Sequence, residues 1–265
     1  MTTVNARFGP ALQHWRGMRR ISQLELAARA GTTQRHLSFV ESGRSRPGRA
    51  MVLRLAESLQ LTLRERNDLL LTAGYAPVYP ESGLDEPALR PVRDALHRII
   101  EGHMPYPAVI VRAYGDVVAA NPAMSVLTEG SAPWLLKPPV NILRVALHPE
   151  GLAPRVVNIE AWGRHIIDSL VRLRALRGDT AELDDFIAEL ESYVPQSPPG
   201  PDHLGFAVPL RLRHGDGELS LLTTLTSFAT AVDVTLAELH LEAFLPADDA
   251  TADELRRRAG QPVPG

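Results

Sequence analysis

Between Ser22 and Pro47 the chain reads SQLELAARAGTTQRHLSFVESGRSRP, and this stretch constrains the fold more than any other. Ser22 is a good N-cap, and Glu25 three residues later completes a capping box. Leu26, Ala27 and Ala30 then give the first helix one apolar stripe. Gly31 stands where that helix must stop and turn, in the slot where a residue without Cβ costs least. Thr33 caps a second helix, whose Leu37 and Val40 face inward at i and i+3. Gln34, Arg35 and Ser38 are left on the outward face near its N-terminus.

Helix, short glycine turn, and helix with polar donors at its start is the helix-turn-helix pattern. It places those donors to meet base edges in a major groove. The stretch resembles the Cro/lambda-repressor-like (XRE) helix-turn-helix, with Gln23 opening the first motif helix, Leu26 and Ala27 in its core, and Glu41 and Gly43 ending the recognition helix. The expected DNA contacts are Gln23, Thr33, Gln34, Arg35 and Ser38. Arg44 and Arg46, in the basic loop that follows, are placed to touch phosphates. The alternative is a helical hairpin with a solvated polar face, but caps, glycine, outward donors and arginines all favour DNA.

Charge divides the same way. The formal net charge is only −3, yet residues 1–72 carry 12 Arg against 5 acidic residues, and residues 73–265 carry 16 basic against 26 acidic. A basic head on an acidic body fits a DNA-binding domain joined to something else. The chain has no cysteine, which excludes disulfides, thiolate metal sites and a cysteine nucleophile. No apolar run approaches the ~20 residues of a membrane span, and the N-terminus lacks a signal-peptide core, so a cytoplasmic location is expected.

Around the motif, a helix over 8–19 brings Leu12 and Trp15 to one side. A fourth helix over about 49–59 buries Val52, Leu55, Ala56 and Leu59. Thr62 and Glu65 form a second capping box, opening a fifth helix that ends at Gly74. Five helices make an all-α domain over 1–75. Residues 76–91, rich in proline, read as a linker. Beyond it, 92–101 is a helix and PAVIVRAYGDVVAAN a β-hairpin turning at Tyr114-Gly115-Asp116. A proline-rich, apolar stretch runs from 133 to 154, and helices follow over 158–177 and 180–193. Two strands then turn about His214-Gly215-Asp216-Gly217, and the alternation of Leu239, Leu241 and Ala243 predicts a last strand. Strands at both ends with helices between describe an α+β domain over 92–248, with an antiparallel sheet and helices gathered on one face. Residues 249–265 are expected to be a flexible tail.

Several strings carry a second resemblance: RHLSFVESGRSRPGRAMV, LLLTAGYAPVY, HMPYPAVIV, VVAANPAM, NILRVALHPEGLAPRVVNIEAW and ELHLEAFLPAD. Over about residues 8–255 the chain is similar to the MmyB-like transcription regulators, in which an XRE helix-turn-helix precedes a PAS-like ligand-binding domain. It departs from their pattern at Tyr114-Gly115 and at Phe228-Ala229-Thr230. The resemblance implies a small apolar ligand such as a fatty acid.

Arg144, His148, Arg155, Asn158, Trp162 and His165 fall within 22 residues, and Asn158, Trp162 and His165 share one helix face. One reading is a pocket with apolar walls, in which Arg144 or Arg155 holds a carboxylate. The other is that Trp162 is core and the arginines and histidines cap carbonyls. No metal-ligand spacing, nucleophile elbow or phosphate loop appears, so no catalytic residue, metal or cofactor is expected. The expectation is a regulator that binds a double-stranded operator as a homodimer and senses a small molecule. Its alternative is a C-terminal module that only dimerises and binds proteins.

Overall fold

The computed structural model describes residues 8–177, 181–195, 208–228 and 232–260. The chain forms two compact units. The first comprises residues 8–82 and, from far along the sequence, 232–237. The second holds the rest of the described chain.

In the first unit five helices run α1 (Phe8–Met18), α2 (Gln23–Arg29), α3 (Gln34–Glu41), α4 (Arg49–Ser58) and α5 (Leu63–Thr72). Local chemistry sets their starts. Ser22 Oγ accepts from Glu25 N at 3.1 Å, and Thr33 Oγ1 accepts from His36 N at 3.1 Å. At α5 the capping box is complete, with Glu65 Oε2 accepting from Thr62 N at 2.8 Å. At α2 only half of it forms, because the Glu25 carboxylate pairs with Arg29 one turn on. Gly31 holds φ +64°, the left-handed conformation that ends α2. Leu12, Leu26, Leu37, Val52, Leu55, Leu59, Leu69 and Leu70 interlock in one apolar core. Each such side chain contributes about 1.5–3 kcal/mol on burial.

The stretch expected to be a linker belongs partly to this unit. Asn67, buried on α5, accepts from Val78 N (3.0 Å) and Tyr79 N (3.1 Å) and donates to Tyr79 O (2.8 Å). Those three bonds lay residues 77–81 against α5. The next residues are fixed by the distant segment: Ser82 N donates to Asp233 Oδ2 at 3.1 Å, and Val234 N to Pro80 O at 2.8 Å. Val234 is fully buried there.

The second unit begins with α6 (Arg90–Glu101) and the hairpin β1 (Ala108–Val111) and β2 (Val117–Ala120). At the hairpin turn Tyr114 and Gly115 both take positive φ (67° and 89°), and a Cβ on Gly115 would press to 2.8 Å of Leu143 Cγ. The turn therefore needs glycine for both shape and space. Then come α7 (Ser125–Thr128), α8 (Ile142–Leu147), α9 (Ile159–Arg177), α10 (Ala181–Tyr193), β3 (Leu210–His214), β4 (Gly217–Ser227), the single turn α11 (Val234–Ala237) that docks in the first unit, β5 (His240–Pro246) and α12 (Asp249–Arg258). The five strands form one sheet of order β2-β1-β5-β4-β3, every pairing antiparallel. This is the expected PAS-like α+β arrangement.

One sheet face packs Val109, Val111, Leu210, Leu212, Leu219, Leu221 and Phe244 against Leu147, Trp162, Ile167 and Leu190 of the helices. All four residues of β1 are buried, so its opposite face is covered as well. The expected flexible tail is another correction. Asp248 caps α12 by accepting from Thr251 N at 2.7 Å, and Thr251 Oγ1 accepts from Ser220 N at 2.9 Å. Leu255 is 1% exposed within the main core. Among the described residues no helix is long and apolar enough to cross a membrane.

Candidate DNA-reading face and ligand domain

At the start of α3, Gln34 and Arg35 are exposed and Ser38 is half-buried, while Leu37 and Val40 point into the core. Thr33 spends its hydroxyl on the helix cap. The Arg35 guanidinium lies 5.5 Å from the Phe39 ring centroid, and that of Arg44 lies 5.9 Å from the same ring. Phe39 was not among the sequence candidates. It braces two arginines that have no acidic partner among the described residues, leaving both charges open to an anion.

Two expected DNA contacts are committed inside the protein. Gln23 Nε2 donates to Glu41 Oε2 at 2.7 Å, tying α2 to the end of α3. Arg16 completes the arrangement, with Nε 2.8 Å from Oε1 and Nη2 3.1 Å from Oε2 of the same carboxylate. The hydrogen bond to Glu41 raises the Arg16 pKa above its ordinary value, against burial. Arg46 Nη2 donates to Ala73 O at 3.1 Å, capping the C-terminus of α5 beside the Tyr75 ring. Gln23 and Arg46 therefore set the angle of the motif, and the outward contacts narrow to Gln34, Arg35, Ser38 and Arg44.

The six candidate ligand residues do not converge. Arg144 forms a bidentate pair with Glu189 of α10, 2.6 and 2.8 Å, with its charge over the Phe186 ring. His148 sits edge-on between Trp134 (5.0 Å) and Tyr193 (4.8 Å) and accepts from Glu150 N at 3.0 Å. Arg155 donates to Val126 O and Glu129 O, both at 3.0 Å. Asn158 spends both ends of its amide on β3 and the residue before it, donating to Pro209 O at 2.8 Å and accepting from Arg211 N at 3.1 Å. Trp162 is core, and His165 is exposed. Both arginines proposed for a carboxylate are already satisfied. Asn158, Trp162 and His165 share a face by spacing, but α9 buries one side of that face and exposes the other.

Only Arg144 and His148 come together, with Trp134, Lys137, Asn141, Glu189 and Tyr193, around a recess of about 380 Å³. Glu189 of α10, absent from the sequence candidates, is the centre of this cluster. Hydrogen bonding to Arg144 holds its carboxyl below the usual range, and Tyr193 donates to it at 3.0 Å. Burial, then that bond to Glu189, pushes the Tyr193 phenol up. Arg144 and Glu189 neutralise each other, and Lys137 adds a positive charge to the lining. Among the described residues no group of three His, Asp or Glu is placed to hold a metal ion.

Comparison with family profiles matches residues 12–66 to a helix-turn-helix family and residues 92–257 to the MmyB-like transcription regulator ligand binding domain. The chain belongs to the MmyB-like transcription regulators. The second match spans most of the chain, and its end at residue 257 takes α12 into the ligand-binding domain of an MmyB-like protein. Comparison with curated proteins found no match. Among solved structures, one similar chain is described as an RNA-binding light-oxygen-voltage receptor, at 14% identity and a TM-score of 0.24, covering 96% of this chain. The chain spans 63% of that structure's length. As an MmyB-like regulator, the chain combines a DNA-binding domain with a domain for a ligand.

Proposed function

We propose that this regulator reads its operator through Gln34 and Arg35 at the exposed start of α3, with Arg44 on the phosphates and the C-terminal domain shifting DNA affinity when a small, largely apolar molecule binds. The observation that carries it is the pair of exposed donors on a helix whose opposite side is locked into the core. Glutamine pairs with adenine and arginine with guanine through bidentate bonds in the major groove. One motif reads a half-site, so a two-fold homodimer on a palindromic site supplies useful specificity. A ligand acts only through its preference for one arrangement of that dimer, typically 1–3 kcal/mol of coupling, or roughly 5- to 150-fold. With Arg144 and Arg155 committed to protein partners, a fatty-acid carboxylate has lost the cations first assigned to it.

Operator selection from random duplexes, followed by titration of the selected site with and without candidate ligands, tests this reading. A selected palindrome whose affinity changes on ligand addition supports it. Selection of no sequence defeats the operator reading. A palindrome indifferent to every ligand favours a domain that only dimerises and binds proteins.

A further inference from the structure

On the reading side of α3 one large apolar side chain stands among polar ones. Phe39 is half-buried, and it belongs neither to the apolar core of the first unit nor to the partly buried side chains packed on that core. Leu37 and Val40, buried to 1% and 2% exposure, fill the core from the other side of the helix. The Phe39 ring meets two cations instead, with the Arg35 guanidinium 5.5 Å from its centroid and that of Arg44 at 5.9 Å. Arg35 stands one helical turn before Phe39, so the two share a face of α3. Arg44 comes to the ring from the loop, and the Phe39 carbonyl fixes the entry of that loop. It accepts from Arg44 N at 2.8 Å and from Ser45 N at 3.0 Å.

Phe39 therefore lies between the arginine assigned to base edges and the arginine assigned to phosphates. Among the groups that base pairs present to the major groove, the C5-methyl of thymine is the apolar one. It stands at the flank of the base edge, toward the backbone of its own strand, while O4 points to the middle of the groove. A half-open ring between a base-reading cation and a phosphate-binding one matches that place. The spacing agrees. One turn of helix, from Arg35 to Phe39, advances about 6 Å. Stacked base pairs advance about 3.4 Å each, so Phe39 falls about one to two base pairs beyond the base met by Arg35.

We propose that Phe39 reads a thymine methyl, and that each half-site of the operator carries a thymine about one to two base pairs from the guanine paired with Arg35. This rests on the reading that α3 enters the major groove, and it adds a base that the hydrogen-bond donors leave unassigned. The contact is apolar. Ring and methyl leave water together, worth about fourfold in affinity for one methyl group. It sets thymine above cytosine, which presents an amino donor and no methyl to the groove. The ring also holds the two guanidiniums by cation–π attraction, a role that does not depend on which base is present.

Gel-shift titration of the full chain on its selected operator, with deoxyuridine replacing one thymine at a time in one half-site, tests it. Deoxyuridine pairs as thymine does and lacks only the methyl. The expected result is a loss of about fourfold at one thymine, within about two base pairs of the position whose preference Arg35→Ala relaxes. Phe39→Ala should bind the thymine operator more weakly and be indifferent to the swap, while circular dichroism shows an unchanged fold. Phe39→Leu, which keeps an apolar group but gives up the ring, should retain part of the methyl preference. Three results overturn the assignment and leave Phe39 a brace for two arginines: a half-site without thymine, a wild type indifferent to every deoxyuridine, or a methyl penalty unchanged in Phe39→Ala. A penalty confined to thymines farther from the Arg35 position overturns it as well. If no sequence is selected, or Arg35→Ala relaxes no position, the reading of α3 itself falls, and the proposal with it.

Discussion

Arg16 of α1 and Glu41 at the end of α3 form a two-pronged ion pair, 2.8 and 3.1 Å, in which the Glu41 side chain is 1% exposed. The pair fixes the far end of the helix that presents Gln34 and Arg35. Arg16→Ala would leave a buried carboxylate with Gln23 as its remaining side-chain donor. Because Arg16 is itself part-exposed, we expect a loss of about 2–3 kcal/mol, below the 3–5 of a fully buried pair. Denaturant unfolding of wild type and variant measures it, and a change under 0.5 kcal/mol would show the pair to be ornamental.

Gln34→Ala and Arg35→Ala should each weaken operator binding by about 1–3 kcal/mol and relax preference at one or two base positions. Arg44→Ala should instead weaken all sequences alike and reduce the slope of affinity against salt by about one unit. Gel-shift titrations at several salt concentrations distinguish the patterns. An Arg35 variant that binds as tightly as wild type would remove α3 from the groove.

Glu242 makes stability depend on pH in an unusual direction. Its folded carboxyl titrates at about 7, above the ordinary 4.5, so the folded state holds a proton that the unfolded state releases. Stability is therefore full below about pH 4.5 as far as this group is concerned, and is lost as pH rises to 7 and beyond. The loss is of order 3 kcal/mol. Glu242→Gln should be more stable than wild type at pH 8 and nearly equal to it at pH 5. Melting curves in which the two proteins differ equally at both pH values would count against the buried acid.

Leu255→Ala should destabilise the second unit by about 2–4 kcal/mol, because its side chain is 1% exposed inside the core. Truncation after Asp248 should be worse, since it also removes the Thr251 hydroxyl that accepts from Ser220 N. If truncation leaves thermal unfolding unchanged, α12 is dispensable.

Where structure followed from neighbours in sequence, it was legible. Ser22, Thr33 and Thr62 each announced a helix beginning at the next residue, and the His214–Gly217 turn announced two strands. The same logic applied at Asp248, but an arginine-rich sequence with only Ala252 and Leu255 on its apolar side masked a short helix. The candidate site was far less legible. Arg155 is satisfied by carbonyls 26 and 29 residues away, Asn158 by a carbonyl 51 residues away, and Arg144 by a carboxylate 45 residues away. No local pattern records such partners. Glu242 looked like the solvent side of an alternating strand, and only the pairing with Val109 and Leu225 shows that its side of the sheet is the inner one.

Asp233 and Val234 have a consequence for how separable the two halves are. They belong to the first unit, yet they lie between strands of the second, so the polypeptide changes unit three times along its length. A fragment ending at Ser82 would keep every residue of the DNA-reading face and still leave Ser82 N and Pro80 O without their Asp233 and Val234 partners. A chimera that grafts these 82 residues onto a foreign sensor inherits the same vacancy. The reader and the sensor are exchangeable parts on paper, but the stitch at residues 232–237 makes them one unit of inheritance.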